Sequence, residues 1–248
     1  MTGKRFLTRI IQFSSVFSAF AAATYAQVLP RDAVIDGKSI GEWSQVRSQW
    51  VFSYPMGMNP VEDATGELSY LGDQGEVFFL EGTFGGPTVT RDVTVRSDQY
   101  LSIGLLNVTA WIPVDGETEE QIRTVASDIV GLIDQLSLEI DGVAPDVDLF
   151  SHRQPTPPGM FDLVLPENAV FDLEPGTYPA VTDGYSVMLE PLSLGDHTVA
   201  FSGRMTIEPG DVFENSVVYN VHVVPEPSSW LVLGSASGCL LLLRRRRC

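Results

Sequence analysis

The sequence predicts a mainly β protein, with a β-sandwich or jelly-roll-like domain that holds two helices at about 39–53 and 118–136. Many short apolar segments alternate with glycine and proline turns, a pattern typical of all-β domains. Two longer segments have apolar residues at helical spacing. Apolar runs beside basic residues mark both ends, and they predict an N-terminal signal helix and a C-terminal short transmembrane helix.

Residues 1–26 have the pattern of a secretory signal peptide. A basic start precedes the mostly apolar segment 10–23, which ends in small residues. Cleavage is expected between Ala26 and Gln27, with cleavage after Ala23 as the alternative. A retained signal anchor is a further interpretation, but the apolar run is short for one. The basic residues of this segment are Lys4, Arg5 and Arg9.

The first helix is predicted by a capping box formed by Ser39 and Glu42. Its apolar side chains recur at helical spacing, and Pro55 ends the element because the residue before proline avoids the α region. An aromatic stripe of this kind can bind sugars, but a side that faces the core is the simpler interpretation. The stripe consists of Ile40, Trp43, Val46 and Trp50.

Strands are predicted on both sides of a second helix. That helix begins at a capping box of Thr118 and Gln121, and an apolar stripe carries it to Leu136, so it is expected to lie on a sheet. Short apolar or alternating runs bounded by turns predict the strands. These are residues 77–80, 92–95, 100–111, 138–140, 161–165, 185–189, 197–203 and 217–224.

Charge is distributed unevenly along the chain. The whole sequence has 15 basic and 32 acidic residues, a net charge of −17, and only 8 basic residues stand against 31 acidic ones between Gln27 and Val224. A field of this sign repels polyanions, so nucleic acid and anionic lipid are poor partners. Solubility outside the cell explains the charge most simply, with cation binding or matrix association as alternatives.

No catalytic residue and no metal site is predicted. The histidines are His152, His197 and His222, and none belongs to an H-E-x-x-H motif. His197 is interpreted as making a turn hydrogen bond, and His222 as lying on a half-exposed strand face. The G-x-S-x-G pattern of serine hydrolases is absent from the sequence. Paired carboxylates for glycoside hydrolysis cannot be selected among so many acidic residues.

Calcium is the cofactor that the acidic loops would favour, although no D-x-[DN]-x-[DN]-G loop is present. The candidate ligands are Asp141-Gly142, Asp146, Asp148 and Asp162. Solvated loop aspartates are the preferred interpretation, so no cofactor is expected and calcium is the alternative. The cysteines, Cys239 and Cys248, both lie in the last ten residues, so the middle of the chain has no disulfide.

The last 25 residues have three parts in a fixed order: a proline-rich motif at 224–228, an apolar helix at 230–243, and arginines at 244–247. As a helix the apolar run spans about 21 Å against a hydrocarbon core of about 30 Å, so it is a marginal anchor. The arginines hold the C-terminus on the cytoplasmic side, which leaves the middle exported. The motif is Val224, Pro225, Glu226, Pro227 and Ser228, and the membrane stop is Arg244, Arg245, Arg246 and Arg247.

This tail resembles the PEP-CTERM sorting signal of Gram-negative bacteria. The resemblance implies an exosortase-type membrane protease as partner, transient inner-membrane anchoring, and delivery to the cell surface or an exopolysaccharide matrix. It also implies processing near Pro225, Glu226 and Pro227. An unprocessed tail anchor is the alternative. The domain organisation expected is a signal peptide at 1–26, a β-rich extracytoplasmic domain at 27–223 and the sorting signal at 224–248.

The middle of the chain is similar to a widespread group of bacterial secreted proteins to which no activity is assigned. That group shows adjacent tryptophans where this chain has Arg47-Ser48-Gln49. The resembling segments are 41–44 with Trp50, 59–60, 75–80, 82–86, 183–185 and 191–198. The function expected is therefore that of an exported surface or matrix protein, non-enzymatic in its core. A secreted polysaccharide-active hydrolase and a carbohydrate-binding module are the alternatives.

Overall fold

A computed structural model describes residues 27–226. The predicted signal peptide at 1–26, the apolar helix at 230–243 and the arginines at 244–247 lie outside the described residues. Within the described part, neither α-helix has the length and apolar character that a membrane crossing requires.

The described chain is mainly β with two α-helices, as predicted. The elements in order are β1 (Val34–Ile35), β2 (Lys38–Ser39), α1 (Ile40–Phe52), β3 (Val77–Leu80), β4 (Val89–Arg96), β5 (Tyr100–Trp111), α2 (Glu119–Val130), β6 (Ile133–Ile140), β7 (Phe161–Leu165), β8 (Gly176–Leu189), β9 (Gly195–Glu208) and β10 (Asp211–Val224). Short 3₁₀ turns lie at Ser69–Gly72, Leu149–His152 and Val170–Asp172.

Eight of these strands form two four-stranded sheets. The first sheet has the order β4-β10-β9-β6 and the second sheet the order β3-β5-β8-β7, while β1 and β2 form a small ribbon. Most neighbours are antiparallel, but β10 runs parallel to β4 and β3 runs parallel to β5. Both parallel pairs join strands that are distant in the chain or connected by more than a hairpin, as parallel pairing requires.

The main core lies between the two sheets. Leu101 and Val187 of the second sheet belong to the same buried cluster as Phe201 and Val221 of the first. Side chains alternate between the faces of a strand, so every second residue enters this cluster. The residues between them on the first sheet point outward, and they form the surface that carries the groove described below.

Helix α1 covers the outer face of the second sheet. Ser39 caps it, and the predicted capping box with Glu42 is present. Trp43 packs edge-to-face on Phe79 with the ring centroids 6.1 Å apart, and its indole nitrogen donates to the Ile35 carbonyl at 2.9 Å. Phe79 faces α1, while its neighbour Phe78 faces the main core. The prediction that this helical stripe packs inward is confirmed.

Helix α2 is shorter than predicted. It ends at Val130, and Ile133, predicted as the last part of the helix, instead begins β6. Gly131 caps the helix, and the Leu132 carbonyl already accepts a hydrogen bond from Thr206 of β9. Apolar residues in this stretch fit helical spacing and strand alternation equally well, and pairing with β9 decides between them.

Candidate functional site

A groove of about 530 Å³ crosses the outer face of the first sheet. It lies where β4, β10 and β9 present their polar, outward-facing side chains, next to the turn that follows β6. Three carboxylates and two histidines converge there. The lining residues are Asp92, Val93, Thr94, Asp141, Asp196, His197, Thr198, Asn220, Val221 and His222.

His197 ties two turns together at one end of the groove. Its Nδ1 lies 2.8 Å from Asp141 Oδ2, and its Nε2 lies 3.1 Å from Ser193 Oγ. This is the order of groups in a Ser-His-Asp hydrolase. However, the Ser193 carbonyl is nearer to the same Nε2, at 2.9 Å. The nearer partner of Nε2 is thus a main-chain carbonyl and not the serine hydroxyl, so the trio has the contacts of a structural tie.

The carboxyl group of Asp141 is held by donors. Burial raises its pKa, but hydrogen bonds from His197 and from the Thr198 backbone N–H outweigh burial and keep that pKa below its usual value. The Thr198 N–H lies 2.8 Å from Asp141 Oδ1. Both oxygens of this candidate calcium ligand are thus engaged by groups of the protein itself.

The other end of the groove is open to solvent. His222 Nδ1 lies 2.6 Å from Asp196 Oδ1, and the two side chains are 58% and 89% exposed. Asn220 donates to Asp92 at 2.8 Å on the neighbouring strand. Exposed pairs of this kind contribute little to stability. The groove is consequently a polar surface that is open to solvent.

A second concave site is smaller and more deeply buried. This pocket has a volume of about 130 Å³ and lies among α1, the segment that follows β3, the middle of β5 and the start of β10. Both polar and apolar side chains line it. Its lining residues are Arg47, Ser48, Val51, Phe52, Val61, Glu81, Gly82, Thr83, Phe84, Gly104, Leu106, Asn107, Thr109, Phe213 and Asn215.

Arg47 is the central charge of the pocket, and only 2% of it is exposed. Its Nη2 donates to Asn107 Oδ1 at 2.8 Å and to Ser186 Oγ at 2.9 Å. Its Nε lies 3.4 Å from Glu81 Oε2. Among the described residues, Arg47 Nη1 and Glu81 Oε2 have no hydrogen-bond partner. The bare backbone of Gly104 makes room for the guanidinium group, because a methyl group there would lie 2.5 Å from Arg47 Cζ.

A second buried arginine lies behind Glu81. Arg91, 1% exposed, donates to the Glu81 carbonyl at 2.7 Å and to the Tyr219 hydroxyl at 2.9 Å. It also donates to the carbonyls of Asp63 and Val61, at 2.7 and 3.1 Å. Each of its three guanidinium nitrogens therefore has a partner among the described residues, and these bonds fix the chain around Glu81.

Burial controls the titration of both charges in the pocket. It raises the pKa of Glu81, and the opposing effects of Arg47, the Gly82 N–H and Arg91 only partly offset that. Burial likewise lowers the pKa of Arg47, against the attraction of Glu81. Each group needs the opposite charge of the other to stay ionised, because an isolated charge at a buried site has a high free energy.

The residues of the predicted sorting signal and signal-peptide cleavage site lie partly inside and partly outside the described residues. Val224 is the last residue of β10, pairs with Arg96, and accepts a hydrogen bond from the Ser97 N–H at 2.9 Å. Pro225 and Glu226 follow directly. At the other end, the exposed Gln27 accepts from the Glu190 N–H at 3.0 Å. Ala26, Pro227, Ser228 and Arg244, Arg245, Arg246 and Arg247 lie outside the described residues.

The proposed calcium ligands occupy separate elements. Asp141 follows β6, Asp148 caps the 3₁₀ turn through Phe150, and Asp162 stands in β7 opposite Pro179. Residues 27–226 contain no group of three or more histidine, cysteine, aspartate or glutamate side chains placed to hold a metal ion. The buried His152 lies within 3.2 Å of the Asp148 carbonyl and 3.4 Å of the Leu29 carbonyl.

Sequence reasoning missed the pocket, although one signal for it was visible. Arg47 lies four residues after Trp43 and three before Trp50, so helical spacing puts a charge on the buried side of α1. Glu81 comes directly after the apolar strand β3. No family model, curated protein or solved structure matches the chain.

Proposed function

We propose that this chain is an exported protein of the cell surface or exopolysaccharide matrix, which acts by binding and is not an enzyme. In this proposal a signal peptide at 1–26 directs export. Residues 27–223 then form an extracytoplasmic domain whose facing sheets are a β-sandwich. The tail at 224–248 is a PEP-CTERM sorting signal, anchored transiently in the inner membrane and recognised by an exosortase-type protease.

The position of the motif relative to the last strand carries the proposal. β10 continues through Val224, whose carbonyl is still bonded to Ser97, and Pro225 comes next. Proline ends strand pairing because it lacks an N–H group. A protease acting within the Pro-Glu-Pro motif would therefore meet an extended segment beside the domain. Cleavage there would remove no strand of either sheet.

The proposal is tested by following the size and location of the tagged protein in its bacterial host. Wild type should appear as a shorter species at the surface or in the matrix. Replacement of Arg244, Arg245, Arg246 and Arg247 by glutamine, or of Pro225 and Pro227 by alanine, should leave a longer species in the inner membrane. Unchanged size and location in both variants would argue against tail processing. Recovery of the wild type in the cytosol with both ends intact would refute export.

A polysaccharide hydrolase is the alternative, and the two concave sites allow a comparison. Most glycoside hydrolases need two carboxyl groups flanking the scissile bond. The buried pocket has aromatic walls and a single lining carboxylate, Glu81. The groove has three carboxylates, and its described lining contains no aromatic side chain. This chemistry favours binding without turnover. Release of reducing sugar from a polysaccharide by the purified protein would instead support hydrolysis.

A further inference from the structure

The buried pocket contains an unfilled pair of hydrogen-bonding atoms. Arg47 Nη1 is a donor and Glu81 Oε2 an acceptor, and both are buried without a partner among the described residues. Buried polar atoms are satisfied in the great majority of proteins, and leaving one unpaired costs about 1–3 kcal/mol. A donor and an acceptor that both lack a partner in one pocket indicate that a bound group forms hydrogen bonds with them.

The two unpaired atoms indicate which kind of chemical group the pocket binds. Arg47 and Glu81 already offset each other's charge at 3.4 Å, so an ion would add an uncompensated charge to a buried site. A hydroxyl group both accepts and donates, and it can serve the arginine and the carboxylate without adding charge. The amides of Asn107 and Asn215 are already hydrogen-bonded within the protein, so the two unpaired atoms are those of Arg47 and Glu81. A neutral hydroxyl-bearing group satisfies both.

Three phenylalanines also line the pocket. These are Phe52, Phe84 and Phe213, and all three are partly exposed. Phe84 is steadied by Phe171, at 4.6 Å between ring centroids. Flat aromatic faces pack against the apolar C–H surface of a ring, while polar groups on the other side bind its hydroxyls.

We propose that this pocket binds one neutral, hydroxyl-rich unit, the terminal sugar residue of a glycan. A sugar hydroxyl accepts from Arg47 Nη1 and the same or the adjacent hydroxyl donates to Glu81 Oε2, while Phe213 packs on the sugar ring. The volume of about 130 Å³ limits the ligand to the end of a glycan chain. The inference deepens the proposed matrix function by naming a ligand class. It does not depend on how the tail is sorted.

The experiment is saturation-transfer NMR on the full-length protein, purified in a detergent without a sugar headgroup. The probes are glucose, galactose, mannose and N-acetylglucosamine, with inorganic phosphate and glycine as ionic probes. At least one sugar should receive saturation. Phe213→Ala should weaken its binding roughly three- to tenfold, the amount expected for one aromatic contact. Phe150→Ala, at an exposed ring outside the pocket, should leave the affinity unchanged.

Three results would overturn the assignment. Saturation of no sugar means that the pocket holds ordered water only. Binding of phosphate or glycine alone means that it is an ion site. Sugar binding that is equally insensitive to Phe213→Ala and Phe150→Ala places the sugar elsewhere. Because the binding is measured on purified protein, its failure is distinct from a failure of tail processing in cells.

Discussion

Arg47 Nε lies 3.4 Å from Glu81 Oε2 between helix α1 and the end of β3, and the two side chains are only 3% and 15% exposed. Water is largely excluded from this pair. The energy of either charge therefore depends on its partner and on Asn107 and Ser186, which hold the guanidinium group in place. Such a pair fixes the position of a helix relative to a sheet edge, and removal of one member leaves the other charge stranded.

A double-mutant cycle should reveal this coupling. We expect Arg47→Met and Glu81→Gln each to lower the free energy of unfolding by about 3–5 kcal/mol, because each strands a buried charge. The double variant should lose clearly less than the sum of the two. Urea denaturation at neutral pH provides the measurement. Arg204→Met, which breaks the exposed pair with Asp134, is the control and should have a much smaller effect. Additive losses at Arg47 and Glu81 would contradict the coupling.

Gly104 should be essential for the same pocket. A methyl group at this position would lie 2.5 Å from Arg47 Cζ and 2.7 Å from its Nη1. We expect Gly104→Ala to cost about 1–3 kcal/mol through overpacking. Gly41→Ala is the matched control, since its methyl group would approach no described neighbour closer than 3.4 Å and would favour helix α1. Equal unfolding midpoints for the two variants would contradict this account.

Much of the fold is encoded in local patterns. The capping residues Ser39 and Glu42 predict the start of α1, and the apolar run Val77–Leu80 predicts β3 with its observed bounds. Both signals depend only on neighbours in the chain. The end of α2 could not be predicted in this way, because Ile133 satisfies helical spacing and becomes a strand residue only by pairing with Met205.

The pocket depends on contacts that are distant in the sequence. Helical spacing places Arg47 on the buried side of α1, but its partner Glu81 is separated from it by a loop and β3. Similarly, the His197 contact with the Ser193 carbonyl is the predicted turn hydrogen bond, while its contact with Asp141 joins residues 56 positions apart. Such pairs follow from strand order, which periodicity and turn signals leave undetermined.

The capping box of α1 gives a prediction about the stability that comes from contacts between residues close in the chain. Ser39 Oγ accepts from the Glu42 N–H at 3.2 Å, and Glu42 Oε2 accepts from the Ser39 N–H at 2.7 Å. We expect Ser39→Ala to lower the free energy of unfolding by about 1 kcal/mol, since it removes an N-cap acceptor. Ser39→Thr keeps the hydroxyl that accepts from the Glu42 N–H and donates to Glu42 Oε2, and it should stay within a few tenths of wild type. Thermal unfolding of both variants is the measurement, and equal losses would argue against capping.

Asp63 should make the stability of the fold vary with pH in the acid range. Its Oδ1 accepts from the Thr65 and Gly66 N–H groups at 3.0 and 2.9 Å, and its Oδ2 accepts from the Leu68 N–H at 2.7 Å. Burial raises the pKa of Asp63, but these three hydrogen bonds and the Thr65 hydroxyl together hold it below the ordinary value of 3.8. The stabilisation is therefore complete above the unfolded-state pKa and is lost as the pH falls through the lower folded-state pKa.

The Asp63→Asn variant isolates this contribution. Asparagine can still accept from Thr65 and Gly66, but its amide nitrogen then faces the Leu68 N–H, so we expect a loss of about 1–3 kcal/mol at neutral pH. The loss should begin to shrink below about pH 4, where the carboxyl group of the unfolded chain becomes protonated, and it should shrink further as the pH falls through the lower folded-state pKa of Asp63. Urea unfolding across acid pH measures the difference between the two proteins. Asp146→Asn, on an exposed turn, is the control and should run parallel to wild type. A constant difference between Asp63→Asn and wild type at every pH would show that the hydrogen bonds of Asp63 do not depend on its charge.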